Sequence, residues 1–312
     1  METRGGGTRH VVSAEQFPAA LLEQLFASAD EMSGRLETGG APLLPGRVMA
    51  TLFYEPSTRT RLSFESAMLR LGGQVVSTEN ARDFSSAIKG ETLEDTVRIV
   101  GGYADCIVLR HPEEGAAARA AAVSTVPVIN AGYGRGEHPT QALLDLYTIR
   151  SELGRLEGLR VVMAGDLANG RTVHSLIRLL SQYPGLRVTL AGPEQLRLPA
   201  PAVQALRQSG AEVREAQSLL EAVVDADVVY QTRIQAERLP EPLMEGGHDQ
   251  ARFRVTREVM AALPPGAVVL HPLPRVGEID PEVDADPRAA YFRQARNGVP
   301  VRMALLAMVL GA

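Results

Sequence analysis

The strongest constraint on the fold is a repeated alternation between short apolar runs and longer segments with helical spacing. The apolar runs are rich in β-branched residues, and most of the junctions carry Gly, Pro or Asp. This alternation is typical of parallel strands that are joined by crossover helices. The sequence therefore predicts an α/β protein with mainly parallel sheets that are flanked by helices.

The predicted strands fall into two groups, which indicates two domains. Those of the first half are 48–53, 74–77, 106–109 and 127–130, and those of the second half are 160–164, 187–191, 212–214, 227–230 and 267–271. Helical segments in the first half include 58–70 and 92–100. A chain of 312 residues is long enough for two domains of roughly 150 residues each.

The boundary between the domains is predicted in the helical segment 140–153, which ends at Gly154. We expect a first domain over residues 1–149 and a second over residues 150–290. The last segment, 287–310, is predicted to form one or two helices after the second set of strands. We expect residues 291–312 to form a C-terminal helix that packs back on the first domain.

Composition argues against several classes of function. The formal net charge is -5, so there is no general basic surface for nucleic acid or an anionic membrane. The start of the chain is polar, and the most apolar stretch, 303–310, is far shorter than a bilayer span, so a cytoplasmic location is expected. Cys106 is the only cysteine, and the six histidines show no HxxH or HExxH spacing. The sequence predicts no metal and no cofactor.

A polar motif between strand 48–53 and helix 58–70 has the features of a phosphate-binding loop. It reads EPSTRTR at residues 55–61. Ser57 is a favourable helix N-cap, and the first turn offers backbone N–H groups, hydroxyls and a guanidinium at the positive end of the helix dipole. This combination indicates a phosphate cradle without a Walker lysine. The alternative is a plain capped helix with a solvated basic turn.

A second polar loop, SSAIKGET at residues 85–92, contains Lys89. Lys89 is the only lysine of the chain. In a sequence so biased towards arginine, one lysine indicates a place where a compact, mobile ammonium is needed and a planar guanidinium is not. The alternative is a solvated surface lysine.

Further polar residues follow strands 106–109 and 127–130. Arg110 comes directly after the first of these strands, and His138 and Gln141 lie at a predicted helix start after the second. Residues three apart on a helix face the same point, so an imidazole and an amide there can contact a carbonyl and its amino group. Taken singly, each has the alternative of a cap or loop contact. The glycines in this region do not fit GxGxxG, which argues against a dinucleotide site.

The second half has two arginines and a proline-rich loop after its strands. Arg171 and Arg233 are suited to bidentate binding of carboxylates, and together they indicate a clamp for a dicarboxylate. Surface ion pairs with nearby acidic residues are the alternative. The motif HPLPR at residues 271–275 ends a strand, and its prolines fix an irregular loop whose carbonyls can point into a cleft. The alternative is a rigid turn.

These motifs, in this order, resemble those of aspartate carbamoyltransferase catalytic chains. The matching segments are FYEPSTRTRLSFE at 53–65, KGETLEDT at 89–96, LRHP at 109–112, HPTQALLDLYTI at 138–149, GDLANGRTVHS at 165–175, TRIQ at 232–235, HPLPRVGEID at 271–280 and QARNGVPVRMALLAMVL at 294–310. The resemblance covers nearly the whole chain. It implies a carbamoyl-phosphate-binding first domain and an aspartate-binding second domain.

The resemblance also implies roles for individual residues. For the phosphate and carbamoyl group of carbamoyl phosphate these are Ser57, Thr58, Arg59, Thr60, Ser85, Arg110, His138, Gln141 and the Pro272–Leu273 backbone. For L-aspartate they are Lys89, Arg171, Arg233 and Gln235. In the family, the serine and lysine of the loop reach the site of a neighbouring subunit, so Ser85 and Lys89 imply a homotrimer with shared sites. Regulatory or dihydroorotase-type subunits are further possible partners.

Three alternatives compete with transfer to aspartate. Ornithine carbamoyltransferases share the STRTR loop, but they characteristically carry Ser-Met-Gly and His-Cys-Leu-Pro segments, and this chain has His-Pro-Leu-Pro and no Ser-Met-Gly. A non-catalytic relative is disfavoured because Arg59, Lys89, Arg110 and His138 are all present. A nucleotide-dependent regulator is disfavoured because the chain has neither a Walker loop nor GxGxxG. The sequence therefore favours aspartate as the acceptor.

Overall fold

The computed structural model describes residues 10–79, 90–134, 136–234 and 251–312, and the chain divides into two compact units. Unit 1 comprises Met1–Leu143 and Asn297–Ala312, and unit 2 comprises Leu144–Arg296. The two dividing points lie inside the helices Pro139–Leu153 and Tyr291–Leu310. The domain boundaries at residues 149 and 290 stay predictions.

Unit 1 contains a four-stranded parallel sheet with the order β2-β1-β3-β4. The strands are β1 (Val48–Phe53), β2 (Gln74–Glu79), β3 (Cys106–His111) and β4 (Val128–Tyr133). Val11 adds an isolated parallel bridge to Ile129 at the edge of β4. The helices of this unit are Ala19–Thr38, Thr58–Arg70, Leu93–Val100, Ala116–Val123, the first part of Pro139–Leu153 and the last part of Tyr291–Leu310, with a short 3-10 helix at Ala14–Gln16.

Apolar residues at helical spacing pack the unit 1 helices on the sheet. Leu93 and Val97, four residues apart, join Ile107 of β3 in one buried cluster. The Thr92 hydroxyl caps this helix by accepting the Asp95 N–H at 3.1 Å. Cys106 is completely buried, and this burial raises the pKa of its thiol to about 12. This burial is typical of a structural thiol.

Unit 2 contains a five-stranded parallel sheet with the order β7-β6-β5-β8-β9. The strands are β5 (Arg160–Ala164), β6 (Arg187–Ala191), β7 (Glu212–Ala216), β8 (Val228–Gln231) and β9 (Val268–Leu270). The helices are Arg171–Leu180, Ala200–Gln208, Leu219–Ala222 and Arg257–Ala262, together with parts of Pro139–Leu153 and Tyr291–Leu310, and the 3-10 helices are Glu194–Leu196 and Pro281–Ala285. The central strands are buried along almost their whole length, which is typical of a sheet covered on both faces.

The predicted fold class is confirmed, and the corrections concern the ends of elements. Strands β2, β3, β4, β7 and β8 continue past their predicted last residues, and β9 ends one residue before its predicted end. In β2 and β3 the reason is that the polar residues Glu79 and Arg110 still pair in the ladder with Phe53. Arg110 therefore lies within β3 and not after it. The C-terminal segment is one helix, Tyr291–Leu310, which contains Pro300 in its interior.

The C-terminal residues belong to the first unit, as the fold prediction requires. Residues Asn297–Ala312 group with unit 1. Within that unit the Arg302 guanidinium lies 5.0 Å from the ring centroid of Phe64, which belongs to the Thr58–Arg70 helix. No helix in the described part of the chain is both long enough and apolar enough to span a bilayer.

The strand orders show where ligands are expected to bind. In an open parallel sheet, ligands bind beyond the carboxyl ends of the strands at the point where the strand order reverses. That point lies between β1 and β3 in unit 1, and between β5 and β8 in unit 2. Ser57, Arg171 and Arg233 lie in the segments that follow β1, β5 and β8, and Arg110 lies near the carboxyl end of β3 itself.

Candidate active site

The loop after β1 presents a helix N-terminus at the switch point of unit 1. Ser57 occupies the N-cap position of the Thr58–Arg70 helix, as predicted, but its hydroxyl makes no capping hydrogen bond. That hydroxyl instead accepts from Arg110 Nη1 at 3.4 Å. Thr58 and Arg59 are exposed in the first turn, where backbone N–H groups have no partner within the helix. These features suit a phosphate group.

Arg110 is the central cation of this site. It is only 9% exposed, and its Nη1 also donates to the Ala131 carbonyl at 3.4 Å. Its Nε lies 3.5 Å from Glu55 Oε2, which gives the buried charge an ion-pair partner. These contacts hold the guanidinium in one orientation beside the N-terminus of the Thr58–Arg70 helix.

His138 and Thr60 meet in the same buried region. Thr60 Oγ1 and His138 Nε2 are 3.5 Å apart, and the residues are 5% and 4% exposed. His138 immediately precedes the Pro139–Leu153 helix, and its carbonyl accepts from the Gln141 N–H at 3.0 Å. Gln141 is half-buried in the first turn of that helix. The structure thus brings together Ser57, Thr60, Arg110 and His138.

Gly132 lies between two of these groups, where an added side chain would crowd the His138 ring. Its φ is +102°, and a Cβ there would stand 3.1 Å from His138 Cδ2 and 3.5 Å from Arg110 Nη1. The Gly132 N–H donates to Asn130 Oδ1 at 2.9 Å, which holds this backbone at the end of β4. Only glycine allows both the backbone conformation and the close approach of the two side chains.

Several residues that support the site were not predicted. Glu55 and Asn130 orient Arg110 and Gly132, and the Glu137 carboxylate accepts from the Ser13 hydroxyl at 3.3 Å and the Ala14 N–H at 3.1 Å. Glu55 lies inside the EPSTRTR motif, and Asn130 ends an apolar run, so both had a visible signal. The bond of Ser13 to Glu137 joins residues 124 apart in sequence and had none.

Charge states beside the site follow from burial. Burial of its guanidinium lowers the pKa of Arg59 from its usual value, although the residue as a whole is exposed. Arg59 is still a cation at neutral pH. Burial also lowers the pKa of His111, whose Nδ1 accepts the Glu113 N–H at 3.1 Å. The His111 ring lies 4.6 Å from that of Tyr54, whose pKa is raised by burial. The neutral pair adds no charge beside Arg110.

In unit 2, the loop after β5 is held closely against the end of β8. A Cβ on Gly165, which has a φ of +99°, would stand 2.2 Å from the Thr232 carbonyl oxygen. The Thr232 hydroxyl donates to the Ala164 carbonyl at 2.9 Å. Arg233 follows Thr232, and Arg171 is the first residue of the Arg171–Leu180 helix. Both arginines are half-buried.

The remaining predicted site residues lie after β9 or outside the described part of the chain. Pro272 and Leu273 follow β9, which pairs with β8 in unit 2. Ser85, Lys89 and Gln235 lie outside the described residues. Within residues 10–79, 90–134, 136–234 and 251–312, no group of three or more His, Cys, Asp or Glu is placed to hold a metal ion.

Two parallel α/β units, each with cationic and polar side chains at its switch point, define a two-domain enzyme for anionic small molecules. This chain belongs to the aspartate/ornithine carbamoyltransferase family. Residues 9–151 match the family's carbamoyl-P binding domain, and residues 157–309 match its Asp/Orn binding domain.

Relatives and solved structures agree with this assignment. The chain is 53% identical over 302 residues to "Aspartate carbamoyltransferase, chloroplastic" of Arabidopsis thaliana, covering 96% of this chain and 77% of the relative. It is 52% identical over 304 residues to "Aspartate carbamoyltransferase catalytic subunit" of Methanopyrus kandleri, covering 97% of each. The catalytic subunit of M. jannaschii aspartate transcarbamoylase superimposes with a TM-score of 0.92 at 45% identity, covering 97% of this chain and 98% of the other.

A further similar structure is that of a complex with a ligand. It is aspartate transcarbamoylase from Trypanosoma cruzi in complex with N-(phosphonacetyl)-L-aspartic acid, with a TM-score of 0.91, 42% identity, and coverage of 96% and 95% of the two chains. The family resemblance inferred from the motifs is therefore confirmed.

Proposed function

We propose that this chain transfers the carbamoyl group of carbamoyl phosphate to the amino group of L-aspartate. The products are N-carbamoyl-L-aspartate and phosphate, and the reaction is a step of de novo pyrimidine biosynthesis. The observation that carries the proposal is the grouping of three side chains beside the N-terminus of the Thr58–Arg70 helix: His138 lies 3.5 Å from Thr60, and Gly132 lies between His138 and Arg110. Relatives that are 52–53% identical over nearly the whole chain are named aspartate carbamoyltransferase, which supports aspartate as the acceptor.

The unit 1 residues bind carbamoyl phosphate and stabilise the transition state. The helix N-terminus with Ser57, Thr58 and Arg59 holds the phosphate. The neutral amine of aspartate attacks the carbamoyl carbon, and negative charge develops on the carbonyl oxygen of a tetrahedral intermediate. Arg110, His138 and Thr60 donate hydrogen bonds to that oxygen, and Gln141 helps to orient the carbamoyl group. The carbon–oxygen bond to phosphate then breaks, and phosphate leaves with that electron pair and takes up the proton that the attacking amine loses.

The unit 2 residues bind the acceptor. Arg171 and Arg233 pair with the two carboxylates of aspartate, and Gln235 assists them. Ornithine has a cationic side chain where aspartate has its second carboxylate, so a clamp of two arginines repels it. The backbone carbonyls of Pro272 and Leu273 accept hydrogen bonds from the reacting amino groups.

The assembly is proposed to be a homotrimer with shared active sites. Its support is the resemblance of the loop at 85–92 to that of the family, in which Ser85 and Lys89 act on the neighbouring subunit's site. Lys89 then adds a positive charge that balances the leaving phosphate and helps to bind aspartate. The cytoplasmic location stays a prediction, because several plant relatives are named as chloroplastic.

The activity is tested by measuring carbamoylated product and released phosphate together. The reaction contains carbamoyl phosphate with L-aspartate, and the controls contain L-ornithine or no acceptor. We expect product with aspartate alone, and its loss in Arg59→Ala. Product with ornithine and not aspartate would refute the choice of acceptor.

The shared site is tested by mixing two inactive variants. Lys89→Ala and Arg110→Ala chains in one trimer leave some sites with both native residues, so mixing is expected to restore part of the activity. No recovery after verified subunit exchange would refute the shared site.

A further inference from the structure

The loop after β9 has an unusual backbone conformation. Leu273 has a φ of 55°, in the left-handed region that non-glycine residues rarely adopt. Pro272 and Pro274 flank it, and neither has a backbone N–H. The Leu273 N–H is therefore the only main-chain donor between His271 and Arg275. The group that accepts this hydrogen bond is therefore the main local constraint on the backbone conformation of residues 271–275.

The imidazole of His271 supplies the acceptor. The Leu273 N–H donates to His271 Nδ1 at 2.8 Å. A ring nitrogen that accepts a hydrogen bond carries no proton, so the proton of the neutral ring is on Nε2. Nε2 in turn donates to Glu278 Oε1 at 2.7 Å. The two bonds together determine the tautomer and the orientation of the ring.

Glu278 ties the far side of the loop to the same ring. Its Oε2 accepts the Val276 N–H at 2.8 Å, and the residue is only 7% exposed. Burial by itself raises the pKa of Glu278, but the hydrogen bonds from His271 and Val276 outweigh this effect and lower it. The ionised carboxylate therefore accepts a hydrogen bond on each oxygen. One comes from His271 at the start of the HPLPR segment, and the other from Val276 directly after it.

The main chain of His271 is anchored by a second buried chain of hydrogen bonds. Its N–H donates to Gln294 Oε1 at 2.8 Å, and Gln294 Nε2 donates to Asp145 Oδ1 at 2.6 Å. The Tyr230 hydroxyl donates to the other Asp145 oxygen at 2.6 Å. Because Asp145 can only accept, the Gln294 amide has one possible orientation, which leaves its oxygen for His271.

We propose that His271 and Glu278 are positioning residues, which hold the Pro272–Leu273 backbone where its carbonyls accept hydrogen bonds from the reacting amino groups. The inference rests on the proposed function, because carbamoyl transfer is what brings amino groups to this loop. As the amine attacks, its nitrogen gains positive charge and its N–H groups become stronger donors. Correctly placed carbonyls therefore stabilise the transition state more than the ground state.

Three variants test the pair. His271→Asn keeps an acceptor for the Leu273 N–H in an Asx-type turn but loses the bond to Glu278. His271→Leu loses both bonds. Glu278→Gln keeps the shape, but its NH2 group cannot accept, so it cannot serve both His271 and Val276. We expect kcat to fall about 10- to 100-fold in His271→Leu, as misplaced reacting groups do, and less in the other two.

Two measurements distinguish positioning from general destabilisation. Succinate has the two carboxylates of aspartate and no amine, so its inhibition constant reports the arginine clamp alone, and we expect it to stay within about twofold of wild type. The matched control is Asp227→Asn. Asp227 accepts from the Arg160 N–H at 2.9 Å and from Arg160 Nη2 at 2.8 Å, at the amino ends of β5 and β8. Its loss is expected to lower Tm without lowering kcat.

The outcomes are distinct. A His271→Leu enzyme with the kcat of wild type overturns the inference. So does an Asp227→Asn enzyme that loses as much kcat as His271→Leu at a similar loss of Tm, or a rise in the succinate constant as large as the kcat loss. If His271→Leu does not fold, His271→Asn and Glu278→Gln decide by the same criteria. A wild-type enzyme that does not carbamoylate aspartate would instead refute the proposed function.

Discussion

The candidate sites of the two units differ in how far they are assembled by buried side chains. In unit 1, Arg110, Thr60 and His138 are at most 9% exposed; Arg110 and His138 both approach Gly132, and Thr60 lies 3.5 Å from His138. In unit 2, Arg171 and Arg233 are only half-buried, at a helix start and just after a strand. The difference fits two tasks. Donors that stabilise developing charge must be oriented in advance, whereas a clamp for a charged substrate only has to bind it.

This comparison separates the kinetic effects of the two sets. Changes in the unit 1 donors are expected to act mainly on kcat, because their interactions strengthen in the transition state. Changes in the unit 2 arginines are expected to act mainly on the KM for aspartate, because they hold carboxylates that do not react.

The largest effect is expected for Arg110→Ala. Loss of one oxyanion donor typically lowers kcat by about 100- to 1,000-fold, and here the Glu55 carboxylate also loses its partner. Initial rates at saturating substrates measure the change. The control is Arg119→Ala, which removes an exposed arginine paired with Glu94 and Glu113 outside the site and should leave kcat near wild type. A kcat loss below tenfold in Arg110→Ala would contradict its role.

A smaller effect, of a different kind, is expected for Arg171→Ala and Arg233→Ala. A hydrogen bond to a charged group contributes about 1.5–3 kcal/mol, so the KM for aspartate should rise about 10- to 100-fold. The KM for carbamoyl phosphate should change little. Arg178→Ala, an exposed position in the same helix as Arg171, serves as the control. A fall in kcat at unchanged KM would remove the distinction between the two units.

Gly132→Ala tests whether the unit 1 site depends on close packing. The new Cβ would stand 3.1 Å from His138 Cδ2, so the imidazole must move, and kcat is expected to fall about tenfold. Gly115→Ala is a matched control, because Gly115 also has a positive φ of +71° but no heavy atom within 4 Å of the added Cβ. Both variants should lose stability from backbone strain, while only Gly132→Ala should lose kcat. Equal kcat values in the two variants would argue against preassembly.

The smallest effect concerns stability at the amino end of the unit 2 sheet, away from the site. Burial alone raises the pKa of Asp227, but hydrogen bonds from Arg160 and Arg155 outweigh it and lower the pKa from 3.8 to about 2. A lowered carboxyl pKa stabilises the fold above the unfolded value, and this contribution is lost as pH falls from 3.8 towards 2. The shift corresponds to about 2 kcal/mol.

Urea unfolding of wild type and Asp227→Asn measures this contribution. The measurements run from about pH 6 to about pH 2, the range in which carboxylates titrate. The difference in unfolding free energy is expected to be largest at the upper end and to shrink on acidification. A difference that does not depend on pH would show that the carboxylate charge is not its cause.

The sequence predicted regular elements well where apolar runs end in clear punctuation. Strands β1, β5 and β6 and the Thr58–Arg70 helix have the predicted ends. Strands β3 and β4 were predicted too short, because a polar residue such as Arg110 pairs in the ladder without any apolar signal. The motifs placed Ser57 and His138 at helix starts, since residues that follow strands are local features of the sequence.

What the motifs could not predict are the contacts between distant segments. The bond between His271 and Glu278 joins residues seven apart across a loop, and the bond between Asp145 and Gln294 joins residues 149 apart. Neither pair has a characteristic spacing. Their partners depend on the path of the backbone between them, which periodicity does not describe.

By itself, the sequence determined the fold class and the family of this chain, because hydrophobic period and motif order are local properties that can be read along one dimension. The tertiary structure decided which side chains meet: that the Ser57 hydroxyl accepts from Arg110 and does not cap its helix, that Gly132 separates Arg110 from His138, and that Glu278 holds His271. Strand order and register set these distances, and both arise from pairing between segments far apart in the chain.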